Sequence, residues 1–390
     1  MSQKHLPKNI AFEALKFLDL PIPKYAERLV VDGSIGGPSY WGRDCHWVFQ
    51  KHGLSSVFIS FFFKEILIGS QSFKLPESIT KYSYNQIIRC IIKNVNPKKI
   101  IVVSRELGSK LCDLSYERIL VETGFGEEDL LEFEKTNGKN SKEIIERALL
   151  EVLFRNNTYP WDSLAHLICA SEAVKCSNTN VLWSEEAANR AKRVFKSSQI
   201  ISQLPSFHIP VIIPAKAKEN LKIIATTGSH IISNKTIHFL SIDILCKLLP
   251  SFPSLRLVLI SRYPDRLEQF ASKNITIERL RDKHSSIERY RHCDVFFRVQ
   301  NDSSLPMSCL EAMALEKVVI MNKAVKNASS QLKHEDNVLL TPFMNSLALQ
   351  NVLEYLVKNR TRLSEIGKSA RRFALNNCDI EKNLRNLNLL

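Results

Sequence analysis

The stretch DVFFRVQNDSSLPMSCLEAMALEKVVI, residues 294–320, reads as a strand, a polar loop, a helix and a second strand. Val295, Phe296 and Phe297 form an apolar run closed by Asn301, Asp302, Ser303 and Ser304, the pattern of a buried strand bounded by turn residues. Pro306 opens a helix, since proline has no N–H to leave unsatisfied in a first turn and its φ already suits a helix. Glu311 falls in the second turn, and Val318 to Met321 returns to a strand. Amides at such a helix start can hold an anion or an oxygen-rich sugar.

The same alternation extends on both sides of this unit. C-terminal strands are expected at 222–225, 256–261, 274–278, 295–299, 318–321 and 337–341. Helices are expected at 236–249, 264–272, 286–292, 306–315, 346–358 and 360–376. In the first half, strands are expected at 28–32, 56–62, 65–69, 99–104, 118–123 and 180–184. Helices follow Gly36-Gly37 and span 84–95, 163–175 and 185–195, and a charged, helix-prone stretch covers 127–155. Strands alternating with helices yield mainly parallel sheets covered by helices. Pro205, Pro210 and Pro214 lie within ten residues and mark a crossover between domains. Two doubly wound Rossmann-like domains are therefore expected, residues 1–214 and 215–390, facing each other across a cleft. Ligands of such sheets bind beyond the carboxyl ends of the strands.

Composition bounds the function. With 390 residues, 44% hydrophobic and 24% charged, the chain is an ordinary globular one of about two domains. The apolar stretch from Val57 to Phe63 stops at Lys64 and Glu65, well short of the ~20 residues that span a bilayer. Residues 1–20 lack the uninterrupted apolar core of a signal peptide. The nine cysteines include no C-x-x-C pair, which supports neither a disulfide framework nor a zinc ribbon. A cytoplasmic setting is expected. The net charge is +14, with 27 basic against 23 acidic residues in 1–200 and 27 against 17 in 201–390. The basic excess of the second half attracts anions. Its Lys and Arg are dispersed rather than clustered with aromatics, so no nucleic-acid partner is expected. No histidine shows metal spacing, and neither Asp-x-Asp, a P-loop nor G-x-G-x-x-G after a strand occurs.

Residues 294–320 resemble the donor-site element of retaining GT-B glycosyltransferases, the group 1, family 4-like class that builds bacterial polysaccharide and lipopolysaccharide. The alignment runs without a gap from Asp294 through Leu310-Glu311-Ala312-Met313-Ala314 to Val319-Ile320. Glu335 to Leu340 is similar to a turn of the same class, and the resemblance covers nearly all of residues 221–380. In the first half it thins to the order of elements and the Gly36-Gly37 loop. The resemblance implies a GT-B fold, an N-terminal domain that binds the acceptor and a C-terminal one that binds the donor. The last helix would pack back on the first domain. It also implies transfer of a sugar from a nucleoside diphosphate sugar to a hydroxyl of a glycan or lipid-linked acceptor, with retention and without metal or other cofactor.

By position, Glu311 takes the place of the glutamate that holds the donor ribose, where carboxylate lone pairs accept from two neighbouring hydroxyls. Lys235 takes that of the lysine that neutralises the diphosphate. Gly228, Arg279, Leu280, Ser304 and Leu305 fall in the loops around the donor, and Gly36 and Gly37 in the loop toward phosphate and acceptor. Three positions depart from the family pattern. Ser303 replaces the first glutamate of the spaced pair, which holds the transferred sugar, and Asp302 fills its place if the loop shifts by one residue. Ser229 replaces the arginine of a Gly-Arg turn, leaving Arg262 or Arg298 as substitutes. Ser104 stands where many members carry a histidine. These departures keep a second reading open, a catalytically degenerate subunit that binds or scaffolds a glycosylation complex. Residues 10–20, with Phe12, Leu15, Phe17 and Leu18, either lie peripherally on a membrane or pack on the first domain. Their apolar residues surround the helix, which favours packing.

Overall fold

The computed structural model describes residues 23–33, 37–77, 81–104, 107–108, 111–122, 173–195, 198–210, 212, 220–226, 237–261, 263–280, 283–299 and 305–390. The chain divides into two compact units. One comprises residues 1–183, 187–203 and 380–390, and the other 184–186 and 204–379. The expected boundary at 214/215 lies outside the described residues.

The first unit is built on an eight-stranded sheet: β1 (Arg28–Asp32), β2 (Ser56–Ser60), β3 (Glu65–Ile68), β4 (Gln71–Lys74), β5 (Lys99–Val103), β6 (Glu117–Glu122), β7 (Thr179–Leu182) and β8 (Gln199–Ser202). Their order is β4-β3-β2-β1-β5-β6-β7-β8. All neighbours pair in parallel except the hairpins β2–β3 and β3–β4. Side chains alternate across β1, so Leu29 and Val31 face one layer and Val30 the other. Helix α1 (Gly37–Lys51) lays Trp41, Cys45, Val48 and Phe49, a helical stripe at i, i+4, i+7 and i+8, on the Val30 face. Helix α2 (Lys81–Val95) covers the opposite face with Ile87, Ile88, Ile91, Ile92 and Val95. Helix α3 (Glu185–Val194) adds Ala188 and Ala191 to that second layer.

The second unit carries β9 (Leu221–Thr226), β10 (Leu255–Ser261), β11 (Ile275–Arg279), β12 (Val295–Arg298), β13 (Val318–Asn322) and β14 (Leu339–Thr341). Their order is β11-β10-β9-β12-β13-β14, parallel throughout. Helices α4 (Ile237–Leu248), α5 (Lys283–Arg291), α6 (Met307–Ala314), α7 (Ser346–Lys358) and α8 (Arg360–Asn377) flank this sheet. Ile223, Ala225, Leu257 and Phe297 meet Leu245 of α4 and Leu353 of α7 in one core. Helix α9 (Ile380–Asn386) belongs to the first unit. Its Ile380 and Leu384 join the α1 layer, and Arg28 Nε and Nη2 donate to the Leu389 carbonyl at 3.1 and 3.0 Å.

Several sequence expectations are corrected. Residues 264–270 form a 3-10 helix rather than an α-helix. Pro306 is the cap and Met307 the first helical residue: the Pro306 carbonyl accepts from Cys309 and Leu310 while its own ψ of 138° is extended. Strands β4 and β8 and helix α9 were not among the expected elements. Most of the expected helix at 163–175, the stretch 127–155 and residues 10–20 lie outside the described residues.

Candidate donor site at the carboxyl ends of β9 and β12

In the second sheet, β10 lies on one side of β9 and β12 on the other, so connections leave the central pair in opposite directions. The crevice at such a switch point is where open α/β sheets bind ligands. Thr226 ends β9 and Arg298 ends β12, and Arg298 Nη1 donates to Thr226 Oγ1 at 3.0 Å. The loop beyond β9 contains Gly228, Ser229 and Lys235, and the loop beyond β12 contains Asp302, Ser303 and Ser304. All six lie outside the described residues, as do Arg262 and Gly36.

Helix α6 returns from the β12 loop. Leu305, just ahead of its cap, is buried, and so is Glu311, only 5% exposed in the second turn. A carboxylate withdrawn from water is tolerated only among compensating polar groups. Its charge is felt by Tyr290 at the end of α5. Burial first, and then the negative field of Glu311, push the Tyr290 phenol well above its usual range, while Arg298 pulls it the other way. Tyr290 is stacked edge to face on Phe296 of β12, ring centres 4.9 Å apart. Tyr290 thus lies within electrostatic reach of both Glu311 and Arg298.

Arg279 and Leu280 sit elsewhere on the same edge, at the end of the outer strand β11. The Leu280 amide donates to the Ser261 carbonyl at 2.7 Å, and Arg289 donates to the Arg279 carbonyl at 2.9 Å while pairing with Glu278 at 3.1 Å. The Arg279 side chain is exposed and 3.8 Å from Asp265. Gly37 begins α1, and Ser104 follows β5 with φ of 134°, both in the first unit. The sequence reading missed Thr226 and Tyr290. Thr226 could have been found as a polar residue following the apolar run of β9, whereas Tyr290, inside the basic helix KHSSIERYR, carries no local signal.

Among the described residues, no group of three or more His, Cys, Asp or Glu is placed to hold a metal ion. Likewise, no helix there is long and apolar enough to cross a membrane.

Residues 232–373, which fall within the second unit, match the model of the family Glycosyl transferases group 1. No curated protein matches the sequence. Among solved structures, the chain is similar to sucrose-phosphate synthase from Thermosynechococcus elongatus, with a TM-score of 0.66, 11% identity and coverage of 93% of this chain and 97% of that one. It is also similar to HepE from Anabaena in complex with UDP and glucose, with a TM-score of 0.59, 13% identity and coverage of 94% and 100%. A glycosyltransferase from Rickettsia africae gives a TM-score of 0.57, 14% identity and coverage of 93% and 97%. At these identities the likeness is one of fold, and the fold is GT-B.

Proposed function

We propose that the chain is a glycosyltransferase that moves a sugar from a nucleoside diphosphate sugar to a hydroxyl of a glycan or lipid-linked acceptor, with retention at the anomeric carbon. The observation that carries this reading is that the matched segment, residues 232–373, contains both Arg298, whose bond to Thr226 joins the strand ends at the switch point, and the buried Glu311 of α6. HepE, of the same fold, was solved with UDP, which supports a nucleoside diphosphate as the donor's leaving group.

Negative charge develops on the leaving diphosphate and positive charge on an oxocarbenium-like sugar. Positioning and electrostatic stabilisation then supply most of the rate. Glu311 would accept from the ribose hydroxyls, and Lys235 and Arg298 would face the diphosphate. Basic side chains and amides at the start of α6 are sufficient counter-charges for such a group, so the reaction proposed here uses no metal or other cofactor. Asp302 or Ser303, on the β12 loop, would contact the transferred sugar. We place the enzyme in the cytoplasm, with peripheral contact to a membrane where the acceptor is lipid-linked.

Calorimetric titration with UDP, GDP and ADP, followed by a hydrolysis assay with the sugar nucleotides of the base that binds, tests the proposal. Binding with release of free sugar or transfer is expected, and no affinity at millimolar nucleotide would overturn it. The serines at 104, 229 and 303 favour the second reading, a binding or scaffolding subunit, and nucleotide binding without any turnover would support that reading instead.

A further inference from the structure

The turn between β2 and β3, Phe61-Phe62-Phe63-Lys64, lies at the carboxyl edge of the first sheet, beside the end of β1. That edge is a switch point too, since β2 and β5 flank β1 on opposite sides. The three phenylalanines and Tyr40 of α1 are all partly exposed. Tyr40 stands edge to face with Phe62 and Phe63, ring centres 6.2 and 4.9 Å apart, and Phe62 with Phe63 at 5.0 Å.

The turn is held rigidly from below. The Phe61 amide donates to the Asp32 carbonyl at 3.1 Å. The Phe63 amide donates to Ser60 Oγ at 3.1 Å, and that hydroxyl donates to the fully buried Asp32 carboxylate at 2.7 Å. Tyr84, also buried, donates to the carbonyls of Asp32 and Ile59. Lys64 takes a left-handed φ of 51° that brings its ammonium 3.4 Å from the centre of the Phe61 ring, and the Arg43 guanidinium lies 4.8 Å from that of Phe63.

We infer that Tyr40 and Phe62, on the turn locked by Asp32 and Ser60, form a stacking subsite for a pyranose ring of a glycan acceptor. The inference rests on the transferase reading and deepens it by naming the acceptor class. A pyranose offers one face of C–H groups and a rim of hydroxyls. Aromatic rings suit the face, and the ammonium of Lys64 and the guanidinium of Arg43 can donate to the rim oxygens. A membrane-inserting turn would project its aromatics into solvent, whereas none of these four side chains is among the exposed large hydrophobics. The preformed turn pays little ordering entropy on binding.

The test uses the full chain and saturation-transfer NMR with the methyl glycosides of glucose, galactose, mannose and N-acetylglucosamine, with UDP titrated in parallel. At least one glycoside should show saturation of its ring C–H protons, weakened about five- to tenfold in affinity by Phe62→Ala and retained by Phe62→Trp. UDP affinity should be the same in all three proteins. Absence of any glycoside signal, or an equal signal in Phe62→Ala, overturns the subsite while UDP binding leaves the transferase reading standing. Loss of UDP binding in the wild type overturns the transferase reading, and the glycoside comparison then judges the subsite alone. Flotation with phosphatidylglycerol vesicles that depends on Phe62, without a glycoside signal, would identify a membrane-binding turn and overturn the proposal.

Discussion

Arg298 and Thr226, 72 residues apart in the chain, are joined by a 3.0 Å hydrogen bond that links the ends of the two central strands of the second sheet. The bond holds a guanidinium at the point where the connections of the sheet part. A guanidinium so placed suits two phosphate oxygens at once, which an ammonium does not.

Arg298→Ala should therefore weaken UDP about 10- to 100-fold, the range for one charge-assisted bond, and leave uridine unchanged. Calorimetry with both ligands separates the two. Equal losses for uridine and UDP would show that Arg298 only supports the fold.

Glu311→Ala should act on the other end of the nucleotide. Loss of a carboxylate that accepts from ribose hydroxyls costs roughly 1.5–3 kcal/mol, for uridine and UDP alike. Unchanged affinity for both ligands would leave Glu311 a purely structural group.

His46 is buried beneath the hairpin of the first unit, with Nδ1 2.9 Å from Ser56 Oγ and Nε2 2.9 Å from the Gly69 carbonyl. Burial lowers its pKa from 6.5 to about 4, so the folded protein keeps it neutral while the unfolded chain binds a proton. Its contribution to stability is complete above pH 6.5 and is lost as pH falls toward 4. Between pH 7.5 and pH 4.5 the loss is on the order of 2–3 kcal/mol. Urea denaturation of wild type and His46→Gln should show a stability gap that narrows by that amount at the acid end. A gap independent of pH would refute the assignment.

Gly367 marks the crossing of α8 and the end of α6. A Cβ there would lie 2.2 Å from the carbonyl oxygen of Glu316, a backbone atom that cannot swing aside. Nearby, Arg371 donates to the Ala314 carbonyl and so closes the end of α6. Gly367→Ala should force the helices apart and cost about 1–3 kcal/mol, as overpacking does, read as a lower melting temperature. Because α6 carries Glu311, UDP affinity should fall with it.

Inner strands of each sheet were legible as apolar runs because they are buried on both faces: every residue of β1, β2 and β13 is buried. Strand β4, QSFK, lies at the sheet edge with three of four residues exposed, so it shows no apolar run. Strand β8, QIIS, has one fully buried residue and escaped for the same reason. The 3-10 helix at 264–270 begins on a proline and holds only Leu267 in the core, too little packing to distinguish helix types beforehand. Among the candidate residues, Glu311 was singled out by its position within a motif, and Arg298, together with Arg262, by its place at a strand end. Asp32, His46 and Tyr84 were not, because an isolated polar residue gives no sign of whether it faces water or a buried partner.

The amino-acid sequence alone determined the alternation of strand and helix, and with it two parallel sheets, since periodicity and turn residues are local properties. Only the tertiary structure decided the order of the strands. That order brings residue 226 to residue 298, and Ser60 beneath the aromatic turn beside Asp32. Strand order depends on pairing between segments far apart in the chain, and the free energy of that pairing belongs to no single stretch of sequence.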